Sequence, residues 1–135
     1  MIVLDGSALF AILLGEDDAQ RCQEAIEGAD ELLISAASLT ELIVVATRKG
    51  ILVETRAFID RLDPTVVALT HQRALAAGEA FVRWGHRQHR AGLNYGDTFA
   101  YALATELACP LLFIGGDFAL TNVRSALHSD PSPRP

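Results

Sequence analysis

Short apolar runs alternate along this chain with longer segments in which apolar residues recur at helical spacing. Most of these runs are bounded on at least one side by glycine, proline or charged residues, which is typical of buried strands. The four predicted strands are residues 1–4, 32–35, 66–67 and 111–114. Strands that alternate with helices predict a parallel sheet with helices on both faces, which is an α/β fold.

The helical segments are delimited by ordinary start and stop signals. One begins at Ser38 and ends with Arg48 and Lys49 before Gly50, a basic last turn followed by a glycine. The other predicted helices are residues 7–14, 19–26, 54–62, 74–85 and 94–109. We expect one domain over residues 1–127 and a loose, proline-rich tail over residues 128–135.

The composition is that of a small globular domain, with 135 residues of which 50% are hydrophobic and 21% charged. No apolar run approaches the roughly 18 residues that span a bilayer, and no basic segment followed by an apolar one marks a secretory signal. Cys22 and Cys109 lack the spacing of a zinc site and are expected to be buried in a reducing compartment. We therefore expect a cytoplasmic protein that contacts no membrane.

The net charge of −6 argues against strong nonspecific binding of nucleic acid, which depends on clustered lysine and arginine. One local segment qualifies this, because no acid lies between Glu79 and Asp97. Its basic and histidine residues are Arg83, His86, Arg87, His89 and Arg90. The segment could contact RNA phosphates, and it could equally be the solvated end of a helix.

Two acids, Asp5 and Asp117, lie just past the carboxyl ends of predicted strands. The carboxyl ends of parallel strands meet at one edge of the sheet, where ligands bind in open α/β folds. Ser7 is a plausible N-cap for the helix after the first strand. Either acid could instead do no more than cap a helix or make a turn.

Two further acids lie close to predicted helix starts. Glu41 follows Ser38 by three residues and Asp97 follows Asn94 by three, so both fit a capping box and could be purely structural. If both helices start from the same edge of the sheet, Glu41 and Asp97 would lie in first turns that face the strand-end acids. The sequence then predicts four carboxylates at one edge.

Four converging carboxylates would repel one another. At about 4 Å and an effective dielectric near 20, each close pair costs on the order of 4 kcal/mol, so a marginally stable fold needs a cation or protonation there. An all-oxygen set suits Mg²⁺ or Mn²⁺ better than zinc, and the usual remaining partner of Mg²⁺ is a phosphate. The pattern therefore favours metal-assisted hydrolysis of a phosphodiester.

Two other classes of protein with an acid at a strand end are excluded by particular residues. A phosphatase of the haloacid dehalogenase type needs a second aspartate two residues after the first, where this chain has Ser7. A phospho-accepting receiver domain needs an acid beside Asp5 and a lysine after a late strand. Position 6 is Gly6, and the only lysine, Lys49, lies on the wrong element.

Four segments in this order resemble the PIN-domain ribonucleases and, more narrowly, the VapC-type toxins of bacterial toxin–antitoxin pairs. The segments are residues 2–8, 35–41, 92–104 and 111–118, of which the last two are the most specific. The resemblance runs from Met1 to about Ala126. It implies a three-layer α/β/α sandwich whose central sheet is mostly parallel and has four to five strands.

The resemblance also implies a function. By position, Asp5, Glu41, Asp97 and Asp117 would be the catalytic and metal-binding acids of an endoribonuclease that depends on Mg²⁺ or Mn²⁺. Attack by a water that Glu41 or Asp117 orients would leave a 5′-phosphate and a 3′-hydroxyl. The implied partners are an RNA substrate, a second copy in a homodimer and a cognate VapB-type antitoxin that blocks the site.

The polar residues expected to contact substrate are Ser7, Thr121, Arg87 and Arg90. Relatives often carry an acid after the threonine, where this chain has Asn122, so a fifth acidic contribution and a second metal are in doubt. The alternative is a catalytically inactive PIN-like module that binds an antitoxin or RNA, with the acids in structural roles only.

Overall fold

Four short strands form a parallel sheet in a computed structural model of the chain, which describes residues 1–127. The strands are β1 (Ile2–Leu4), β2 (Leu32–Ser35), β3 (Thr65–Val67) and β4 (Leu111–Leu112). Their order across the sheet is β3-β2-β1-β4, and every pairing is parallel. This confirms the predicted sheet. The expected tail at residues 128–135 lies outside the described residues.

Helices cover both faces of the sheet and make the fold a three-layer α/β/α sandwich. They are α1 (Gly6–Leu13), α2 (Ala19–Gly28), α3 (Ala36–Lys49), α4 (Leu52–Leu62), α5 (His71–Trp84) and α6 (Tyr95–Leu107). Alternate residues of β1 enter different cores: Val3 joins Trp84 and Leu103, whereas Leu4 joins Leu9 and other residues of the α1–α4 side. None of the described helices is both long and apolar enough to cross a membrane.

Strand β1 is the point where the direction of strand addition reverses: β2 and β3 are added on one side of it, and β4 is added on the other side. It pairs with β2 on one side and with β4 on the other, so the carboxyl ends of β1 and β4 are neighbours. The backbone N–H of Asp5 donates to the carbonyl oxygen of Leu112 at 3.0 Å, which continues the pairing past the end of β1. Such a reversal opens a crevice at the carboxyl edge of the sheet.

The predicted starts of α3, α4 and α5 are wrong, because these helices begin two or three residues earlier than expected. Helix α3 begins at Ala36, and its N-cap is Ser35, whose hydroxyl accepts the backbone N–H of Ala37 at 3.2 Å. The predicted cap, Ser38, is buried inside the helix, so Glu41 lies in the second turn and not in the first. The physical reason is that β2 runs into α3 without a loop, so the last strand residue is already in place to cap.

The start of α1 also differs from the prediction. Its N-cap is Asp5, and Ser7 lies inside the helix. The capping interpretation of Asp5 is therefore correct, and it coexists with the position of Asp5 at a strand end. By contrast, the capping box predicted for Asn94 and Asp97 at the start of α6 is confirmed.

Candidate active site

Asp5 is fixed by the hydroxyl and the backbone of Ser7. Its Oδ2 accepts the backbone N–H of Ser7 at 3.0 Å and the Ser7 hydroxyl at 2.6 Å. The same hydroxyl accepts the backbone N–H of Ile114 at 3.1 Å, which ties the end of β1 to the segment after β4. Burial raises the pKa of Asp5, and the hydrogen bonds from Ser7 oppose that rise.

Asp97 is held by the first turn of α6. Its Oδ2 accepts the backbone N–H of Asn94 at 3.0 Å, and the Asn94 side-chain oxygen accepts the backbone N–H of Asp97 at 2.9 Å. With only 8% of its surface exposed, Asp97 is costly to ionise. Burial raises the pKa of Asp97 to about 7, and the negative charges of Asp5, Asp117 and Glu41 contribute to the rise.

The other two acids are more open to solvent. Glu41 is exposed on the second turn of α3, and Asp117 is exposed in the loop after β4. Partial desolvation, followed by the charge of Asp5, raises the pKa of Glu41. Within residues 1–127 neither carboxylate accepts a hydrogen bond from a side chain or joins an ion pair. These two acids therefore lack the hydrogen bonds that fix Asp5 and Asp97.

All four acids line one cavity of about 220 Å³ at the carboxyl edge of the sheet. The ion pairs found within residues 1–127 join Met1 to Asp30, Arg21 to Asp18 and Arg73 to Glu106, all away from this cavity. The remaining lining residues are Gly6, Ser7, Phe10, Leu42, Val45, Asn94, Ile114 and Phe118. The cavity thus has negative charge and no basic side chain in its lining.

The donor chemistry of this cavity fits a hard divalent cation. The ionisable lining groups are carboxylates, with a serine hydroxyl and no histidine or cysteine among them. Within residues 1–127, however, no three acidic, histidine or cysteine side chains are grouped tightly enough to form a ready-made metal site.

Of the residues predicted to contact substrate, Ser7 is the one that lines the cavity. The Thr121 hydroxyl donates to the carbonyl oxygen of Phe118 at 2.7 Å, so it organises the loop after Asp117. Arg87 and Arg90 lie in the turn region after α5 and are not part of the cavity lining. Contacts of these three side chains with RNA stay predictions.

Asn122 has a different role from the one considered in the sequence. Its side-chain oxygen accepts the hydroxyl of Tyr101, and that hydroxyl in turn accepts the indole N–H of Trp84 at 2.9 Å. Asn122 is not a lining residue of the acid cavity. The amide therefore anchors the C-terminal loop to α6, and it takes no direct part in the acid set.

Sequence reasoning missed Gly96. A Cβ built at this position would overlap the carboxylate of Glu41, so the glycine gives that side chain its room. The signal available in the sequence is weak: a glycine in the first turn of a well-predicted helix, where a better helix former is usual.

Comparison with known proteins gives concordant results. Residues 2–123 match the PIN domain family. A ribonuclease VapC of Mycolicibacterium smegmatis is 42% identical over 130 residues, which is 94% of this chain and 100% of that protein. Ribonuclease VapC30 of Mycobacterium tuberculosis H37Rv is 41% identical over 125 residues, covering 90% of this chain and 95% of the relative.

Solved structures share the fold at lower sequence identity. Mycobacterium tuberculosis VapC20, described as a sarcin–ricin loop cleaving toxin, superposes with a TM-score of 0.73 at 18% identity and covers 91% of this chain and 96% of that one. A toxin–antitoxin complex from Klebsiella pneumoniae gives 0.66 at 18% identity, covering 90% and 93%.

Proposed function

This chain belongs to the PIN-domain family and, within it, to the VapC ribonucleases, and from that premise we propose that its acid cavity hydrolyses RNA with the help of a divalent cation. Membership makes the chain an endoribonuclease of the toxin–antitoxin type. The observation that carries the proposal is that Asp5, Glu41, Asp97 and Asp117 line one cavity that contains no basic side chain within residues 1–127.

Mg²⁺ or Mn²⁺ is the proposed cofactor. The two buried acids, Asp5 and Asp97, are already fixed by hydrogen bonds, and the exposed Glu41 and Asp117 are free to complete the ligand set. When bound, such an ion polarises the phosphate and lowers the pKa of a water molecule. Besides its burial, the negative charges of Asp5, Asp117 and Glu41 raise the pKa of Asp97, and a bound cation would offset those charges.

The side chains then have distinct tasks. Ser7 holds Asp5 in one orientation, and Asn94 does the same for Asp97. Glu41 or Asp117, both in contact with solvent, orients the attacking water and accepts its proton. Because water attacks in place of the ribose 2′-hydroxyl, the products carry a 5′-phosphate and a 3′-hydroxyl. Thr121, Arg87 and Arg90 are proposed to contact the RNA outside the cavity.

We propose two protein partners, acting in the cytoplasm where the RNA substrate is found. A cognate VapB-type antitoxin is supported by the structural neighbour from Klebsiella pneumoniae, which is described as a toxin–antitoxin complex. A homodimer is supported by exposed apolar side chains that line one groove between α3 and α6, since a patch of this kind marks an interaction surface. These side chains are Val44, Leu69 and Tyr95.

The test uses the full chain, purified free of antitoxin, and a pool of single-stranded RNA of diverse sequence. We expect cleavage with Mg²⁺ or Mn²⁺, loss of cleavage to background in EDTA, and recovery when the ion is added back. The new ends should be a 5′-phosphate and a 3′-hydroxyl. Undiminished cleavage in EDTA, or 2′,3′-cyclic phosphate ends, would contradict the mechanism. No cleavage of any RNA in the pool would favour the inactive module.

A further inference from the structure

The backbone of α6 does not require a glycine at position 96. Gly96 is the second residue of the helix, and its φ is outside the left-handed region that favours glycine. Glycine is also a poorer helix former than alanine. A buried glycine in this first turn therefore has a reason other than backbone conformation.

The volume above Gly96 is taken by a neighbouring side chain. A Cβ at this position would overlap Cδ and both carboxylate oxygens of Glu41, which reaches across from α3. Other helical glycines differ: Gly28 faces open space, and a Cβ at Gly6 would meet Leu42 at an ordinary 3.5 Å. The relation between Gly96 and Glu41 is therefore specific to this pair of helices.

Polar contacts within residues 1–127 do not keep Glu41 in place. Its carboxylate receives no hydrogen bond from a side chain and no ion pair there, and it faces the negative charge of Asp5. An exposed glutamate in this situation is free to turn outward into solvent. The bare Cα of Gly96 is what allows the inward position to be occupied at all.

We propose that Gly96 is a positioning residue, whose missing side chain lets the Glu41 carboxylate lie at the cavity it shares with Asp5 and Asp97. The inference rests on the proposed function, in which these acids hold a divalent cation. Because the overlapping atoms are at the end of a flexible side chain, a larger residue at position 96 displaces the carboxylate and leaves the helix folded.

The experiment compares Gly96→Ala with Gly28→Ala, a matched helical glycine that faces open space. Three quantities are measured for each variant. They are the Mn²⁺ affinity by calorimetry without RNA, the rate of cleavage of the single-stranded RNA pool, and the Tm in EDTA. We expect Gly96→Ala to weaken Mn²⁺ binding and to slow cleavage by about tenfold each, as loss of a supporting contact does at other metal sites. Its Tm in EDTA should stay unchanged or rise. Gly28→Ala should match the wild type in Mn²⁺ affinity and rate.

A double-mutant cycle with Glu41→Ala separates positioning from a general structural effect. With the carboxylate removed, Gly96→Ala should cause no further loss of Mn²⁺ affinity or rate. Additive losses, or a Gly96→Ala protein with wild-type Mn²⁺ affinity, would overturn the inference. If Gly96→Ala fails to fold, the double variant Gly96→Ala/Glu41→Ala is tested for folding. A folded double variant supports the overlap with Glu41, and an unfolded double variant overturns the inference.

The controls distinguish the two levels of the hypothesis. If Glu41→Ala binds Mn²⁺ and cleaves RNA like the wild type, then Glu41 has no role in the site and the inference about Gly96 falls with it. If Glu41→Ala is impaired while Gly96→Ala is normal, only the inference about Gly96 is wrong and the proposed function stands.

Discussion

Helices α3 and α6 start from the same edge of the sheet, and each brings one acid to the cavity in a different way. Asp97 lies in the first turn of α6, where the capping box fixes and buries it. Glu41 lies in the second turn of α3, exposed, with Ser35 doing the capping. An acid that also caps its own helix is fixed by local hydrogen bonds. An acid in the second turn needs a longer side chain to reach the cavity, and it needs space beside the neighbouring helix.

The largest difference between the two acids should be in catalysis. We expect Asp97→Asn to lower the cleavage rate by about a thousandfold and Glu41→Gln by only about tenfold, since fixed buried groups contribute most to electrostatic stabilisation. Initial rates on the RNA pool with saturating Mg²⁺ measure both. Glu24→Gln, which changes an exposed acid on α2, serves as the control. A larger loss for Glu41→Gln than for Asp97→Asn would reverse the comparison.

The second difference concerns stability and pH. The pKa of Asp97 is about 7 in the folded chain, against an ordinary 3.8. Between these values the folded state binds more protons than the unfolded state, so the free energy of unfolding falls as pH rises. We expect the wild type to lose on the order of 2 kcal/mol relative to Asp97→Asn between pH 5 and pH 7.

Urea unfolding in EDTA at several pH values measures this change. At pH 8 Asp97→Asn should be the more stable protein, because the asparagine still accepts the backbone N–H of Asn94 and carries no buried charge. Parallel curves for the two proteins would mean that Asp97 is ionised throughout this range. Added Mg²⁺ should stabilise the wild type more at pH 8 than at pH 5, because ionised carboxylates bind the ion.

The smallest effect distinguishes the two serines at the start of α3. Ser35→Ala removes a real cap and should cost about 1 kcal/mol. The Ser38 hydroxyl is buried with no hydrogen-bond partner in residues 1–127, so Ser38→Ala should cost nothing or stabilise slightly. Chemical denaturation in EDTA compares the two variants with the wild type. The opposite order would restore Ser38 as the cap.

The sequence allowed prediction of the sheet and of the place where the acids meet. An apolar run followed at once by Asp5, and another followed by Asp117 after two glycines, was enough to put both at one sheet edge. The capping box of Asp97 is a local pattern, so it too could be predicted. Features of this kind depend on residues close together in the chain.

Other features depend on contacts between distant segments and could not be predicted. Ser35 and Ser38 are both good caps, and the choice is made by where β2 ends. The role of Gly96 exists only because α3 packs beside α6. Whether Asn122 reaches the acids is decided by Tyr101, a residue on a different element that binds its amide oxygen.

The hydroxyl of Ser7 joins Asp5 to the backbone of Ile114, which lies 107 positions later in the chain. A polypeptide still being synthesised lacks this bond until β4 has emerged from the ribosome, and Asp117 comes later still. Until then the crevice lacks the segment that carries Ile114 and Asp117. A chain that has not yet added the segment after β4 therefore cannot hold Asp5 and Asp117 at one site.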